Sequence, residues 1–166
     1  MRGALALLAG LALAAAAAPA GVQVVTQDLA TAGVLDAEAV AAAKAAGYEV
    51  VIDLRTRAEG LDAERALVTA AGLDYQNLPV DRAAPQPTDL AAFSALLGVL
   101  GDRKLLVICA TGKRAASMVM LDRVTRSGVP LEIARAAQDA VWTPNEVWQK
   151  YIDATLATRR VTEDGK

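Results

Sequence analysis

Short apolar runs alternate with longer segments of helical pattern along the chain from residue 21 onwards. Residues 48–54 (YEVVIDL) and 105–108 (LLVI) are mostly apolar, as in strands that are buried on both faces of a sheet. Residues 73–80 (LDYQNLPV) alternate apolar and polar positions, which predicts a further strand, and residues 21–27 predict a short first one. The pattern therefore predicts strands that are each followed by sequence of helical character.

Helix-forming residues fill the intervals between these strands. Glycines end the first three predicted helices, and Thr88 is placed to cap the third. The predicted helices cover residues 36–46, 59–71, 89–100, 115–126, 131–140 and 144–156. Alternating strands and helices predict a single three-layer α/β domain over residues 21–158, with a mainly parallel central sheet and helices on both faces. A polar tail, residues 159–166, is expected to fray.

The first 20 residues have the pattern of a secretory signal peptide. Arg2 is followed by an uncharged stretch rich in alanine and leucine, and Ala18-Pro19-Ala20 matches the small-residue pattern of a cleavage site. An uncleaved membrane anchor is the alternative, but the apolar stretch is about 15 residues long and a spanning helix needs roughly 20. We therefore expect a periplasmic or secreted protein that has no membrane attachment after cleavage.

Composition excludes several classes of site. The 17 basic and 19 acidic residues nearly balance, and no basic cluster with interleaved aromatics indicates nucleic-acid binding. The chain has no histidine and one cysteine, which excludes Ser-His-Asp and Cys-His catalysis, zinc sites of the Cys/His type and an internal disulfide bond. No metal or cofactor is predicted, and the sequence indicates no particular protein partner.

The candidate site is the segment that follows the predicted strand at residues 105–108. Cys109 comes at the carboxyl end of this strand, and a helix is predicted to begin soon after it. A helix amino terminus and the loop before it direct backbone N–H groups at one spot, which suits a phosphate-sized anion. The predicted anion-binding residues are Ala110, Thr111, Gly112, Lys113 and Arg114.

Two residues of this segment carry the predicted chemistry. The N–H groups and the Arg114 guanidinium favour the thiolate of Cys109, which is a nucleophile that needs no histidine base. Arg114 can offer two N–H groups to a tetrahedral oxyanion. The alternative is that Cys109 is a small apolar side chain that ends a core strand. The position of the cysteine before a glycine loop and an arginine favours the functional interpretation.

Four stretches resemble a known family in their order and spacing. They are VIDLRTRAEG at 51–60, GLDYQNLPV at 72–80, VICATGKRA at 107–115 and EIARAAQDA at 132–140. Together they resemble the phosphatase-like domain family of the beta-lactamase-hydrolase-like proteins, which is related to the cysteine phosphatases. The resemblance covers residues 51–138. It implies a cysteine-phosphatase-like fold and phosphomonoester hydrolysis.

The signature loop departs from the family pattern. Ile108 stands where the family usually has histidine, and Ala115 and Ala116 stand where many phosphatases have a hydroxyl residue, with Ser117 following later. Arg114 comes one position earlier after the cysteine than in the general cysteine-phosphatase loop. The shorter loop and the sequence VIDLR also resemble rhodaneses, which carry sulfur on a cysteine.

A phosphatase of this kind needs a general acid that protonates the leaving oxygen. Asp81 follows the predicted strand at 73–80 and opens a proline-rich loop, which suits a movable acid, although a solvated turn aspartate is an equal alternative. Asp53 and Arg55 end the strand at 48–54 and are interpreted as a structural ion pair. Trp142 and Trp148 are interpreted as packing residues of the C-terminal helices.

The sequence thus predicts an exported phosphatase-like hydrolase that acts on a small phosphorylated or other anionic substrate. Cys109 would form a phosphocysteine intermediate, Arg114 would bind the oxyanion and Asp81 would donate the proton. Two alternatives stay open. One is a rhodanese-like sulfurtransferase that uses a Cys109 persulfide, and the other is a catalytically degenerate module that binds an anion or a partner.

Overall fold

A computed structural model describes residues 20–164 of the chain. The predicted signal peptide therefore lies outside the described residues, apart from Ala20. Within the described range, five strands form one sheet in the order β1-β2-β5-β3-β4. These strands are β1 Val22–Thr26, β2 Leu29–Ala32, β3 Val50–Asp53, β4 Asp74–Asn77 and β5 Leu105–Ile108.

The sheet is mainly parallel, as the alternation of strands and helices predicts. Strand β5 lies at its centre and pairs in parallel with β2 on one side and β3 on the other, and β3 pairs in parallel with β4. Strand β1 alone runs antiparallel, beside β2 at the sheet edge. The carboxyl ends of β2, β5, β3 and β4 consequently meet at one edge, where ligands bind in sheets of this kind.

Helices cover both faces of the sheet. They are α1 Ala37–Ala45, α2 Asp62–Ala70, α3 Pro87–Leu100, α4 Lys113–Thr125, α5 Leu131–Asp139 and α6 Glu146–Asp164. Helices α3 to α6 pack on one face over Val50, Ile52 and Val107, and α1 and α2 pack on the other over Val51 and Leu106. The single three-layer α/β domain is confirmed. None of the helices in residues 20–164 is both long and apolar enough to span a membrane.

Three predicted boundaries are wrong in ways that matter for the site. Helix α3 begins at Pro87 with Gln86 as its N-cap, so Thr88 is inside the helix, because proline suits the first helical position. The strand predicted over 73–80 pairs only over Asp74–Asn77, which leaves Val80 in the loop before Asp81. Helix α4 begins at Lys113, so Arg114 is in its first turn and not in the preceding loop.

Two further differences concern elements at the ends of the chain. Strand β2 (LATA) was not predicted, and it exists because it pairs along its whole length with β5. Helix α6 continues to Asp164, through most of the segment predicted as a frayed polar tail. The last two residues of that segment lie outside the described range.

Candidate active site

Cys109 lies where the sequence predicts it, directly after the central strand β5. It is a free cysteine and is 1% exposed, and its backbone N–H donates to the carbonyl oxygen of Ala32 at 3.3 Å. Ala110, Thr111 and Gly112 follow as a short loop, and α4 begins at once with Lys113. The loop therefore places the amino terminus of α4 next to the cysteine, at the carboxyl edge of the sheet.

Close packing against β2 fixes the shape of this loop. Gly112 has a φ of 80°, which is the left-handed conformation that favours glycine. A β-carbon on Gly112 would lie 3.4 Å from the carbonyl carbon of Ala32, and an isolated antiparallel bridge pairs Thr111 with Gly33. The chain that follows β2 thus holds the loop from one side.

The Arg114 side chain is held by three parts of the protein. It is 4% exposed, and its Nη1 donates to the carbonyl oxygen of Leu54 at 2.7 Å and to that of Val80. The carboxylate of Glu59 accepts from Nη1 at 3.1 Å and from Nη2 at 2.7 Å. The guanidinium therefore joins the end of β3, the start of the loop after β4 and the turn that contains Glu59.

One nitrogen of this guanidinium is left without a partner. Arg114 Nε is buried and makes no hydrogen bond, and among the described side chains only Gln138 Oε1 shares that condition. A buried donor without an acceptor costs free energy, so such atoms are rare unless a ligand or water completes them. The Nε–H group is thus a donor for which the described residues supply no acceptor.

A cavity of about 490 Å³ opens beside the loop. Its lining residues are Arg82, Ala83, Ala110, Thr111, Lys113, Arg114, Trp142, Asn145, Val147 and Trp148. Three of these side chains are basic and none is acidic, so the cavity attracts anions. Of the predicted anion-binding residues, the cavity brings together Ala110, Thr111, Lys113 and Arg114, while Gly112 shapes the loop behind them.

The two tryptophans form one wall of this cavity. Their rings meet edge to face with centroids 6.4 Å apart, and Lys113 Nζ lies 5.7 Å from the centre of the Trp142 ring. The indole of Trp142 donates to Ser117 Oγ at 3.2 Å, and that of Trp148 donates to the carbonyl oxygen of Arg82 at 3.0 Å. Both tryptophans pack the C-terminal helices as predicted, but they also line the cavity, which the sequence did not predict.

Asp81 is exposed within the loop that joins β4 to α3, residues 78–86. Its carboxylate accepts from the backbone N–H of Ala83 at 2.8 Å, a contact that stabilises the turn. Arg82 and Ala83 line the cavity, whereas Asp81 is not among its lining residues. The structure thus places Asp81 next to the cavity, and its role as a general acid stays a prediction.

The ion pair predicted between Asp53 and Arg55 is present and is part of a larger buried network. Arg55 Nη2 lies 2.6 Å from Asp53 Oδ2 and also pairs with Glu64, and the Tyr75 hydroxyl donates to Asp53 at 2.7 Å. Burial raises the pKa of Glu64 despite the lowering effect of Arg55 and the Leu35 N–H. This network fixes the end of β3. Leu54 comes directly after that strand, and its carbonyl oxygen accepts a hydrogen bond from Arg114.

Glu59 is a residue of the candidate site that sequence reasoning missed. The sequence assigns it to the start of a helix, whereas it ends a 3-10 turn, Arg57–Glu59, and accepts from the backbone N–H of Thr56 at 2.8 Å. A signal was present, because Thr-x-x-Glu is the capping-box pattern that places a glutamate back over its own turn. Its contact with Arg114 is a tertiary one and had no local signal.

The fold and the sequence both match known proteins. The family model described as "Beta-lactamase hydrolase-like protein, phosphatase-like domain" matches residues 21–126. A comparison with curated proteins gives no significant match. Among solved structures, the chain is similar to a candidate phosphatase (DUF442) from Shewanella putrefaciens CN-32. The identity is 25% and the TM-score 0.72, over 84% of this chain and 93% of that one.

Two more distant structures share the fold. One is a candidate dual specificity phosphatase from mouse, complexed with zinc tungstate, with 21% identity and a TM-score of 0.69 over 89% of this chain and 93% of that one. The other is P. aeruginosa TpbA in complex with pTyr, with 13% identity and a TM-score of 0.67 over 84% of this chain and 90% of that one. These similarities show that the architecture is that of the cysteine phosphatases.

Proposed function

The chain belongs to the phosphatase-like domain family of the beta-lactamase hydrolase-like proteins, and on that premise we propose that it is a cysteine-dependent phosphomonoester hydrolase. The observation that carries the proposal is the buried Arg114 Nε, which has no partner and lies on a side chain that lines the basic cavity. Cys109 itself is buried and is not among the lining residues, but Ala110, which follows it, is. A donor kept in this way suits an oxyanion bound at the amino terminus of α4.

The first step is attack by the Cys109 thiolate on phosphorus. A sulfur–phosphorus bond forms as the ester oxygen–phosphorus bond breaks, and the leaving oxygen takes a proton from Asp81. Arg114 donates Nε–H and the second Nη2–H to the equatorial oxygens, where charge is held through the transition state. Asp81 is not among the residues that line the cavity, and its Oδ1 accepts from the Ala83 N–H, so this step requires the loop after β4 to bring the carboxyl group to the leaving oxygen.

The second step is hydrolysis of the phosphocysteine. Water attacks phosphorus, gives one proton to the Asp81 carboxylate and releases inorganic phosphate together with the Cys109 thiolate. The cavity volume of about 490 Å³ suits a small phosphomonoester or the side chain of a phosphorylated residue. We place this reaction in the periplasm or outside the cell, because residues 1–20 have the pattern of a signal peptide.

Sulfur transfer is a second candidate, and the length of the loop favours it. Helix α4 begins at Lys113, so only three residues lie between Cys109 and the helix. A shorter loop offers fewer N–H groups to a tetrahedral anion. In this reaction Cys109 attacks the outer sulfur of thiosulfate, sulfite leaves, and an acceptor such as cyanide removes the sulfur from the persulfide. No general acid is needed, which fits the engagement of Asp81 in its own turn.

Hydrolysis of p-nitrophenyl phosphate by the purified protein under reducing conditions tests the proposal. The C109S variant is the control, since a hydroxyl fits the space of the buried thiol. Hydrolysis that disappears in C109S supports the phosphatase. Absence of hydrolysis, or equal hydrolysis by both proteins, overturns it. Thiocyanate formation from thiosulfate and cyanide then supports sulfur transfer, and phosphate binding without either activity supports a binding module.

A further inference from the structure

Helix α6 holds the loop after β4 through two side-chain donors. The indole Nε1–H of Trp148 donates to the carbonyl oxygen of Arg82 at 3.0 Å, and the hydroxyl of Tyr151 donates to that of Gln86 at 3.1 Å. Among the described residues, the other hydrogen bonds of residues 81–86 stay inside the loop and the first turn of α3. These two bonds from α6 therefore set where the loop lies relative to the cavity.

The backbone on either side of Asp81 is anchored by two residues of the cavity. Before Asp81, the carbonyl oxygen of Val80 accepts from Nη1 of Arg114. After it, the carbonyl oxygen of Arg82 accepts from Trp148. Both donors, Arg114 and Trp148, line the cavity. Asp81 thus lies between two anchored peptide groups, and its side chain can turn toward the cavity without breaking either bond.

Trp148 is suited to be an anchor because its ring is packed on two sides. The side chain is 2% exposed, and its ring meets those of Trp142 and Tyr151 edge to face, with centroids 6.4 Å and 5.6 Å apart. Its backbone N–H donates to Asn145 Oδ1 at 3.1 Å, at the start of α6. A donor on a ring that is held in this way keeps its acceptor in one place.

We propose that Trp148 is a positioning residue of the proton-transfer step: by binding the Arg82 carbonyl oxygen, it holds the backbone beside Asp81 where the carboxyl group can turn to the leaving oxygen. This inference rests on the proposed function, in which Asp81 is the general acid. Trp148 acts through the loop backbone and transfers no proton itself. Without the indole donor Arg82 loses its bond to α6, and the carboxyl group is less often within reach of the leaving oxygen.

Rates on substrates with good and poor leaving groups test the inference on wild type, W148F, D81N and the double variant. Phenylalanine keeps an aromatic ring at the position but has no N–H donor. We expect W148F to lower kcat/KM about 10-fold on an alkyl phosphate and much less on p-nitrophenyl phosphate, whose leaving oxygen needs less protonation. In the D81N background W148F should cause no further fall on the alkyl phosphate, because no proton donor is left to position.

The variant Y151F is the matched control, since it removes the other hydrogen bond from α6 to the same loop. Tyr151 binds Gln86 at the far end of the loop, where the Asp89 carboxylate already accepts from the Gln86 N–H at 2.8 Å and fixes the start of α3. Y151F should therefore keep the wild-type ratio of rates on the two substrates.

The wild-type protein gives a second measurement that does not depend on how W148F folds. The NMR signal of the Trp148 indole N–H is the indole signal that remains in W142F, because the chain has two tryptophans. It should keep its hydrogen-bonded chemical shift when a non-hydrolysed aryl phosphate analogue binds, since the anchor stays closed while Asp81 turns.

Three results would overturn the inference and leave the proposed function standing. They are an equal fall or no fall on both substrates in W148F, the same fall in the D81N background as in wild type, and loss of the hydrogen-bonded indole shift when the analogue binds. A wild-type protein that hydrolyses neither substrate, or D81N with wild-type rates on the alkyl phosphate, overturns the proposed mechanism and the inference with it.

Discussion

Gly112 lies against Ala32 so closely that a β-carbon on residue 112 would stand 3.4 Å from the Ala32 carbonyl carbon. The contact joins the loop after Cys109 to the strand beside it, and the left-handed backbone of Gly112 turns the chain into α4. The amino terminus of α4 is directed at the cavity because this single residue carries no side chain. The loop therefore tolerates no other residue here without a change in its shape.

The variant G112A should lose activity together with some stability. A non-glycine residue in this conformation costs about 1–2 kcal/mol, and at residue 112 this strain falls on the loop that leads into α4. Gly128 offers the matched control, because its φ of 69° is similar and a β-carbon there would meet nothing within 4 Å. Urea unfolding should show similar losses for G112A and G128A, and only G112A should lose turnover. Full turnover in G112A would contradict this account of the loop.

The variant R114K should bind anions poorly and unfold more easily. Arg114 makes four hydrogen bonds to Leu54, Val80 and Glu59, whereas lysine has three donors on a single nitrogen and no side edge for an oxyanion. We expect a loss of about 2–4 kcal/mol in the free energy of unfolding, measured by urea titration, because buried acceptors stay unpaired. Phosphate affinity should fall by at least about 10-fold. Unchanged affinity would remove Arg114 from the binding site.

The variant D81N separates the two candidate activities. Asparagine keeps the oxygen that accepts from Ala83 N–H, so the turn is preserved and only the proton donor is lost. The phosphatase mechanism predicts that kcat on an alkyl phosphate falls by about 100-fold, with a smaller loss on an aryl phosphate that has a better leaving group. Sulfur transfer from thiosulfate should not change. Equal rates on alkyl phosphate for D81N and wild type would exclude Asp81 as the general acid.

The two tryptophans should report ligand binding by fluorescence. They are the only tryptophans in the chain, and both line the cavity. In W148F the remaining half-buried Trp142 should show a clear change on addition of a non-hydrolysed aryl phosphate analogue, because its ring is accessible beside Lys113. In W142F the change should be smaller, because Trp148 is 2% exposed. No change in W148F at saturating analogue would place the ligand elsewhere.

Lowering the pH should reduce the free energy of unfolding of the wild-type protein more than that of the variant E59Q. The pKa of Glu59 is lowered in the folded protein to about 2, against an ordinary value of 4.5, so its carboxylate stabilises the fold above pH 4.5. That contribution is lost as the pH falls from 4.5 to about 2. The stability difference between wild type and E59Q should therefore shrink between about pH 6 and about pH 3 in urea titrations. A constant difference would contradict the lowered pKa.

The local pattern of apolar and polar residues is sufficient to predict the strands and helices that bury their own apolar side chains. The sequence predicts the central strand β5 and the helix after it because a run of four apolar residues is followed by a cysteine, a glycine and an arginine. Strand β2 was missed because Leu-Ala-Thr-Ala has no strand preference of its own and becomes a strand only by pairing with β5. Neighbouring strands, and not the sequence of β2, supply its conformation.

The arrangement of the site was less accessible to sequence reasoning. Cys109 and Arg114 could be found because they are close together in the chain. Glu59 and Trp142 meet that segment only through tertiary packing, by way of the ion pair with Arg114 and the bond to Ser117. Contacts between residues so distant in the chain have no period or spacing that a single sequence can show.

The family match ends at residue 126, whereas one wall of the cavity begins at Trp142. The segment that supplies Cys109 and Arg114 is thus separate in the chain from the segment that supplies the tryptophan wall of the cavity. Substitutions in one can accumulate during evolution while the other is conserved. If the proposed function holds, exchange of the last two helices between relatives with the same loop would change the tryptophan wall of the cavity and leave Cys109 and Arg114 in place.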